Sequence, residues 1–182
     1  FVVSLLSLNL WGGEVLRLEG RVSLNRNGAS PVALEKGAKV NWGDLIESSD
    51  VNSYVKIKFE DTTTVHKGKF KVKYHAPKNA NPPALEIFFG QLRALSKGKK
   101  SKDGYRLRVK TPSAVSEVRG TNFFVMFNPI LAETEIINFQ GLLDFWVPSP
   151  KKKPKKVAIK SGQWGGVGGR FGKTIAKPLN LP

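Results

Sequence analysis

Apolar and polar residues alternate with a period of two along much of the chain. Residues 54–59 read YVKIKF, with Val55, Ile57 and Phe59 on one side and Lys56 and Lys58 on the other. Residues 69–74 read KFKVKY, setting Phe70, Val72 and Tyr74 against Lys69, Lys71 and Lys73. Residues 105–110 read YRLRVK, setting Tyr105, Leu107 and Val109 against Arg106, Arg108 and Lys110. This period, carried by β-branched and aromatic residues, predicts half-buried strands. Further strands are expected at 19–25, 32–34, 39–40, 44–47, 85–89, 122–127, 133–139, 142–147 and 157–160. No segment sustains a helical period; the best candidate, 90–95, is short and alternates just as well. Turns are expected at Asn27-Gly28, Glu60-Asp61, Asp103-Gly104 and Gly120. The expected fold is therefore all-β, with many short strands in a two-layer sandwich or a sheet coiled on itself, and little or no helix.

Two internal echoes fit a layered arrangement. VALEKG at 32–37 resembles VAIKSG at 157–162, and LEIFFGQL at 85–92 resembles EIINFQGL at 135–142. Repeated structural units and chance likeness among strands both account for them. The 40% hydrophobic content suits a globular domain, and 18 Gly with 11 Pro suit frequent turns. Charge changes the picture more. Thirty Lys and Arg against 14 acids give +16, which favours anionic partners such as nucleic acid, acidic lipid head groups or envelope glycans. The absence of cysteine excludes a disulfide framework, a thiolate zinc site and a cysteine nucleophile. The uncharged run FVVSLLSLNL at 1–10 is expected to be the remnant of a signal peptide extending to 13, and so to mark an exported protein. The domain would then span 14–164, and the Gly-rich 165–182 would form a flexible tail.

The order of features is similar to a known family. A Gly-Arg-Val start at Gly20 precedes LEKGAKVNWGDLIES at 34–48 and the strand YVKIKFEDTTTV. LEIFFGQLRAL at 85–95 follows, then VKTPSAVSEVRGTNFFV at 109–125, ETEIINFQGLLDFW and VAIKSGQW. Over 20–164 this resembles the FecR domain in its Gly-Asp turn, Thr-Pro-x-Ala stretch, Arg-Gly-Thr and late Gly-Gln. The resemblance implies an all-β domain of the periplasm or cell surface, in a family whose best-understood members relay the state of an outer-membrane iron transporter to a sigma factor. No anti-sigma or transmembrane segment is recognised in the sequence, so a stand-alone exported domain is expected. The motif residues read as structural. Gly43 and Asp44 suit a turn, Pro112 after Thr111 ends a strand, and Gly120 between Arg119 and Thr121 suits a bulge or a close backbone approach.

Catalytic chemistry is scarce. The two histidines, His66 and His75, make a poor metal site, and no metal or cofactor is expected. Glu60-Asp61 and Glu133 with Glu135 read as solvated acids rather than a hydrolytic pair. The glycines of 162–173 lack the phosphate-loop pattern. The basic residues are the stronger candidates. If their strands are neighbours, Lys56, Lys58, Lys69, Lys71, Lys73, Arg106, Arg108 and Lys110 form one cationic face. Such a face either keeps the sheet soluble or docks an anionic polymer. KKKPKK at 151–156 reads as a solvated loop. The expected function is a non-catalytic binding or signalling domain of the bacterial envelope, whose partner is an envelope protein or an anionic envelope glycan. Single-stranded nucleic-acid binding is the alternative. It is disfavoured because Phe70, Tyr74 and Tyr105 alternate onto the buried side.

Overall fold

The computed structural model describes residues 11–59, 61–78, 82–97, 104, 107–149, 153–174 and 177–182. Of the sequence features above, the run at 1–10, Glu60, Asp103, Tyr105, Arg106 and the start of the lysine run lie outside these residues. The strands in the first half are β1 (Trp11–Glu19), β2 (Ser23–Asn25), β3 (Val32–Ala33), β4 (Lys39–Asn41), β5 (Leu45–Ser48), β6 (Tyr54–Phe59), β7 (Thr62–Lys67) and β8 (Phe70–His75). The long β9 (Ala84–Ser96) follows. The second half holds β10 (Leu107–Lys110), β11 (Val115–Val118), β12 (Asn122–Asn128), β13 (Glu133–Gln140), β14 (Leu142–Trp146), β15 (Val157–Lys160), β16 (Gln163–Val167) and β17 (Leu179–Asn180). The one helical piece among the described residues is a 3-10 turn at Gly169–Phe171.

Hydrogen bonding divides the strands into two layers joined by β9. Sheet A runs β4-β1-β6-β7-β9-β12-β13-β16-β17. Sheet B runs β3-β2-β5-β8-β9-β10-β11-β14-β15. The β9–β10 pairing is parallel; every other pairing among the described residues is antiparallel. The two-layer all-β architecture expected from the alternation is the one observed.

The inward residues of the two layers meet in one core that includes Val55, Ile57, Ile46, Val72, Phe123 and Phe145. Phe59 of β6 stacks on Tyr74 of β8, with ring centroids 5.0 Å apart, so aromatic contact bridges the layers. His66 of β7 is fully buried and its Nε2 lies 2.7 Å from the Tyr74 hydroxyl. Burial lowers the His66 pKa to about 3, because a charged imidazolium would be desolvated there. The same burial raises the Tyr74 pKa.

The internal echoes mark equivalent corners. Gly90 (φ 96°) bends β9 from sheet B into sheet A, and Gly141 (φ 93°) carries β13 of sheet A into β14 of sheet B. A Cβ on either glycine would stand 2.5 Å from a backbone carbonyl oxygen, that of Lys69 or of Gly120. Only glycine meets both demands, a left-handed backbone and the close approach. VALEKG and VAIKSG likewise lead from strands at the two ends of sheet B, β3 and β15, toward sheet A.

Segment 90–95, which alternates as well as it suits a helix, is strand, its side chains alternating between core and solvent. Two expected boundaries differ from the structure. Trp11–Gly13, assigned to the signal remnant, open β1 and pair with β4 and β6. The Gly-rich tail is not a free tail throughout. Gly165 and Gly166 are buried in β16 against β13, and Leu179 pairs with Trp164. There the small residues admit Phe171, whose ring occupies the space a Cβ on Gly166 would need.

Candidate functional site: the two outer faces

The structure does not unite the basic residues on one face. Lys56 and Lys58 point outward from sheet A, whereas Lys71, Lys73, Arg108 and Lys110 point outward from sheet B, on the opposite side of the core. Lys69 sits in the exposed turn before β8. Successive alternating segments had suggested neighbouring strands, but the chain changes layer between β7 and β8 and again within β9.

On sheet B, cross-strand acids meet the cations. Lys71 Nζ lies 3.0 Å from Glu47, and Lys73 and Lys110 stand in register on either side of Glu86. Arg108 and Lys156 both bind the buried carboxylate of Glu117. Lys156, from the lysine-rich loop, also lies 4.5 Å from the Trp146 ring centroid. Arg119 reaches Asp144 at 3.4 Å. His75, half-exposed at the end of β8, is held 2.8 Å from Glu86, whereas His66 is buried. Alternating signs directly opposite one another are the stabilising arrangement for a sheet face.

On sheet A the register row Arg17-Lys56-Val65-Arg93-Phe124-Ile137-Trp164-Leu179 crosses seven strands besides β1, from cationic to aromatic and aliphatic. Arg93 is exposed and its guanidinium lies 4.9 Å from the centroid of Phe139, itself 42% exposed. Arg170 rests against Phe171 at 4.9 Å, and its Nη2 donates to Glu135 Oε2 at 2.6 Å. The backbone N–H of Arg170 donates to Glu133 Oε2 at 2.9 Å. Glu133 and Glu135, read from the sequence as solvated acids, are thus anchors for the 3-10 turn. The rings on this face come from 124, 139, 164 and 171, in segments whose sequence gives no sign of which layer they will join.

The motif residues sit in turns and at strand corners. Asp44 is buried; it accepts from Asn41 N at 2.8 Å and from Arg26 Nη2 at 2.8 Å, and this contact raises the Arg26 pKa. Gly43 N donates to Tyr74 O at 2.6 Å, which docks the turn onto β8. Thr111 Oγ1 accepts from Ala114 N at 3.0 Å and pairs with Thr134 Oγ1 at 2.6 Å, closing the turn that contains Pro112. Gly120 and the buried Thr121 form the β11–β12 corner, and Thr121 O accepts from Ser96 N at 3.0 Å. Sequence reading missed Asn138, whose buried Nδ2 donates to Gly141 O and Ile159 O at 3.0 and 2.8 Å. Among the described residues no group of three or more His, Asp or Glu could hold a metal, and no helix is long and apolar enough to cross a membrane.

These features define a two-layer β domain with a charge-paired face, a cation-and-aromatic face and signature residues used to turn its corners. The family model for FecR protein matches residues 45–141, more than half of the chain, and the protein belongs to that family. Two crystal structures of a candidate anti-sigma factor from Parabacteroides distasonis ATCC 8503 share the fold, with TM-scores of 0.58 and 0.59 at 14% and 15% identity. They match over 74% and 75% of this chain, which spans 58% and 60% of theirs. No curated protein matches the sequence.

Proposed function

We propose that this FecR domain is a non-catalytic binding and signal-relay module of the bacterial envelope, and that it docks an anionic envelope glycan on the outer face of sheet A. The observation that carries the reading is the row from Lys56 to Trp164, where cations and half-exposed rings lie side by side. Sugar rings stack on aromatic faces, and their carboxylates or phosphates pair with Arg and Lys. The FecR membership supports a role in signalling and a place outside the inner membrane. Sheet B is a poorer candidate because cross-strand acids already meet many of its cations.

The test compares Lys56→Glu/Lys58→Glu/Arg93→Glu with Lys71→Glu/Lys73→Glu in pull-downs of peptidoglycan, lipopolysaccharide and envelope protein at low and high salt. Salt-sensitive glycan retention lost only in the sheet A variant supports the proposal. Equal retention by both variants, or capture of protein alone, overturns it. Single-stranded nucleic acid remains a second reading because Arg93 on Phe139 is also a base-stacking platform. Saturable oligonucleotide binding abolished by Phe139→Ala, without glycan binding, would select it.

A further inference from the structure

The two ends of the sandwich differ as much as its faces. Corners at one end are polar: Asp61 O accepts from Lys97 N, and Arg119, Thr121 and Ser161 gather near Gly141. At the other end the chain presents aliphatic side chains to solvent. Ile130 is 91% exposed and Leu131 52% exposed at the tip of the β12–β13 hairpin, and Val51 is 64% exposed in the β5–β6 turn.

These tips are held out rather than loosely displayed. Asn128 Oδ1 accepts from the N–H groups of Ile130 and Leu131 at 3.0 and 3.4 Å. Ala132 takes a left-handed backbone, φ 48°, and Leu131 O accepts from Gly169 N at 3.1 Å. A turn fixed at both sides cannot fold its aliphatic side chains back onto the core.

Between the tips lie the exposed Lys67 and Lys69, flanking Gly68, which approaches Val51 O. With Met126, Phe127 and Pro129 they line an open cleft of about 350 Å³. The acids nearest this end are engaged. Asp50 accepts from Asn52 N and Arg21 N, which lowers its pKa, and Glu133 and Glu135 hold Arg170. From β6 to β12 is three strand spacings, about 14 Å, so the aliphatic tips are separated points with cations between them. That pattern does not form the concave apolar pocket a protein segment would fill. It suits a broad anionic surface soft enough to admit each tip, on a chain of net charge +16.

We infer that this end of the domain docks on an anionic lipid surface, with Ile130 and Leu131 entering the head-group layer and Lys67 and Lys69 meeting the head groups. The docking uses none of the residues assigned to glycan binding, although Lys67 lies at the end of sheet A's outer face, so the two can be tested separately.

Because the chain has no cysteine, Ile130→Cys can carry a single environment-sensitive fluorophore, with Lys97→Cys at the opposite end as control. Vesicles of phosphatidylglycerol mixed with phosphatidylcholine should brighten and blue-shift the label at 130 and leave that at 97 unchanged; phosphatidylcholine alone should do neither. In sedimentation with the anionic vesicles, Ile130→Asp/Leu131→Asp should bind at least tenfold more weakly, as should Lys67→Glu/Lys69→Glu. Undiminished binding by Ile130→Asp/Leu131→Asp, or no binding by the wild type, overturns the inference. Self-association abolished by the same aspartates, without vesicle binding, assigns the tips to a second copy and also overturns it.

Discussion

Sheets A and B are built from the same alternation yet present different outer faces. On sheet B, Lys71, Lys73, Lys110 and Arg108 each stand beside an acid supplied by a neighbouring strand. On sheet A, Arg170 pairs with Glu133 and Glu135 and Lys58 stands opposite Glu14, but Arg93 lies against the Phe139 ring and Lys56 stands beside Arg17 and Val65. A large positive charge therefore does not by itself make a binding face. Cross-strand pairing decides where the charge is spent internally and where it is turned outward.

The largest test of this comparison strikes the strand both sheets share. Gly90→Val adds branched carbon where a Cβ already meets Lys69 O at 2.5 Å, at a φ of 96°. It should destabilise the domain by about 3 kcal/mol or more in chemical denaturation. Gly28→Ala, with φ 76° and nothing within 4 Å, should cost only about 1 kcal/mol. A Gly90 variant as mild as the Gly28 one would mean that the layers are not coupled through this corner.

Between the layers, His66 supplies a pH dependence. Its folded pKa near 3 lies below the unfolded value of about 6.5, so the unfolded chain takes up the proton first. Stability is full above about pH 6.5 and falls as pH drops toward 3, by about 2 kcal/mol between pH 7 and pH 5. His66→Phe should flatten the melting temperature over that interval, although it loses the Tyr74 hydrogen bond. An unchanged slope would show that other groups cause the acid loss.

The smallest effect separates the faces themselves. Glu117→Gln weakens a buried acceptor of both Arg108 and Lys156, and should cost about 1–2 kcal/mol by thermal unfolding. Lys58→Gln on sheet A, an exposed position, should stay within about 0.5 kcal/mol. Equal losses would contradict the division into a charge-paired face and an outward-turned one.

Much of the fold was legible locally. YVKIKF and KFKVKY became β6 and β8 with the predicted faces inward, because a period of two is a property of the backbone that neighbours need not supply. Strands β7, β11 and β16 were not foreseen. TTTVHK and VSEV bury threonine, histidine, serine and glutamate, and QWGGV is rich in glycine, so none shows a clean alternation. Two of these buried groups find partners in other segments: Tyr74 for His66, and Arg108 and Lys156 for Glu117. The cationic face failed for the same reason, since sequence order does not reveal at which turns the chain changes layer.

The sequence by itself determined the cleanly alternating strands and their inward sides, the glycine corners and the excess of positive charge, all set by residue type over a few neighbouring positions. Tertiary structure alone decided which strands share a layer, and hence that Glu47, Glu86 and Glu117 meet the cations of sheet B while Phe124, Ile137 and Trp164 extend the row that begins at Lys56. Those placements depend on pairings between residues tens of positions apart. They are fixed only when the two layers close over a common core.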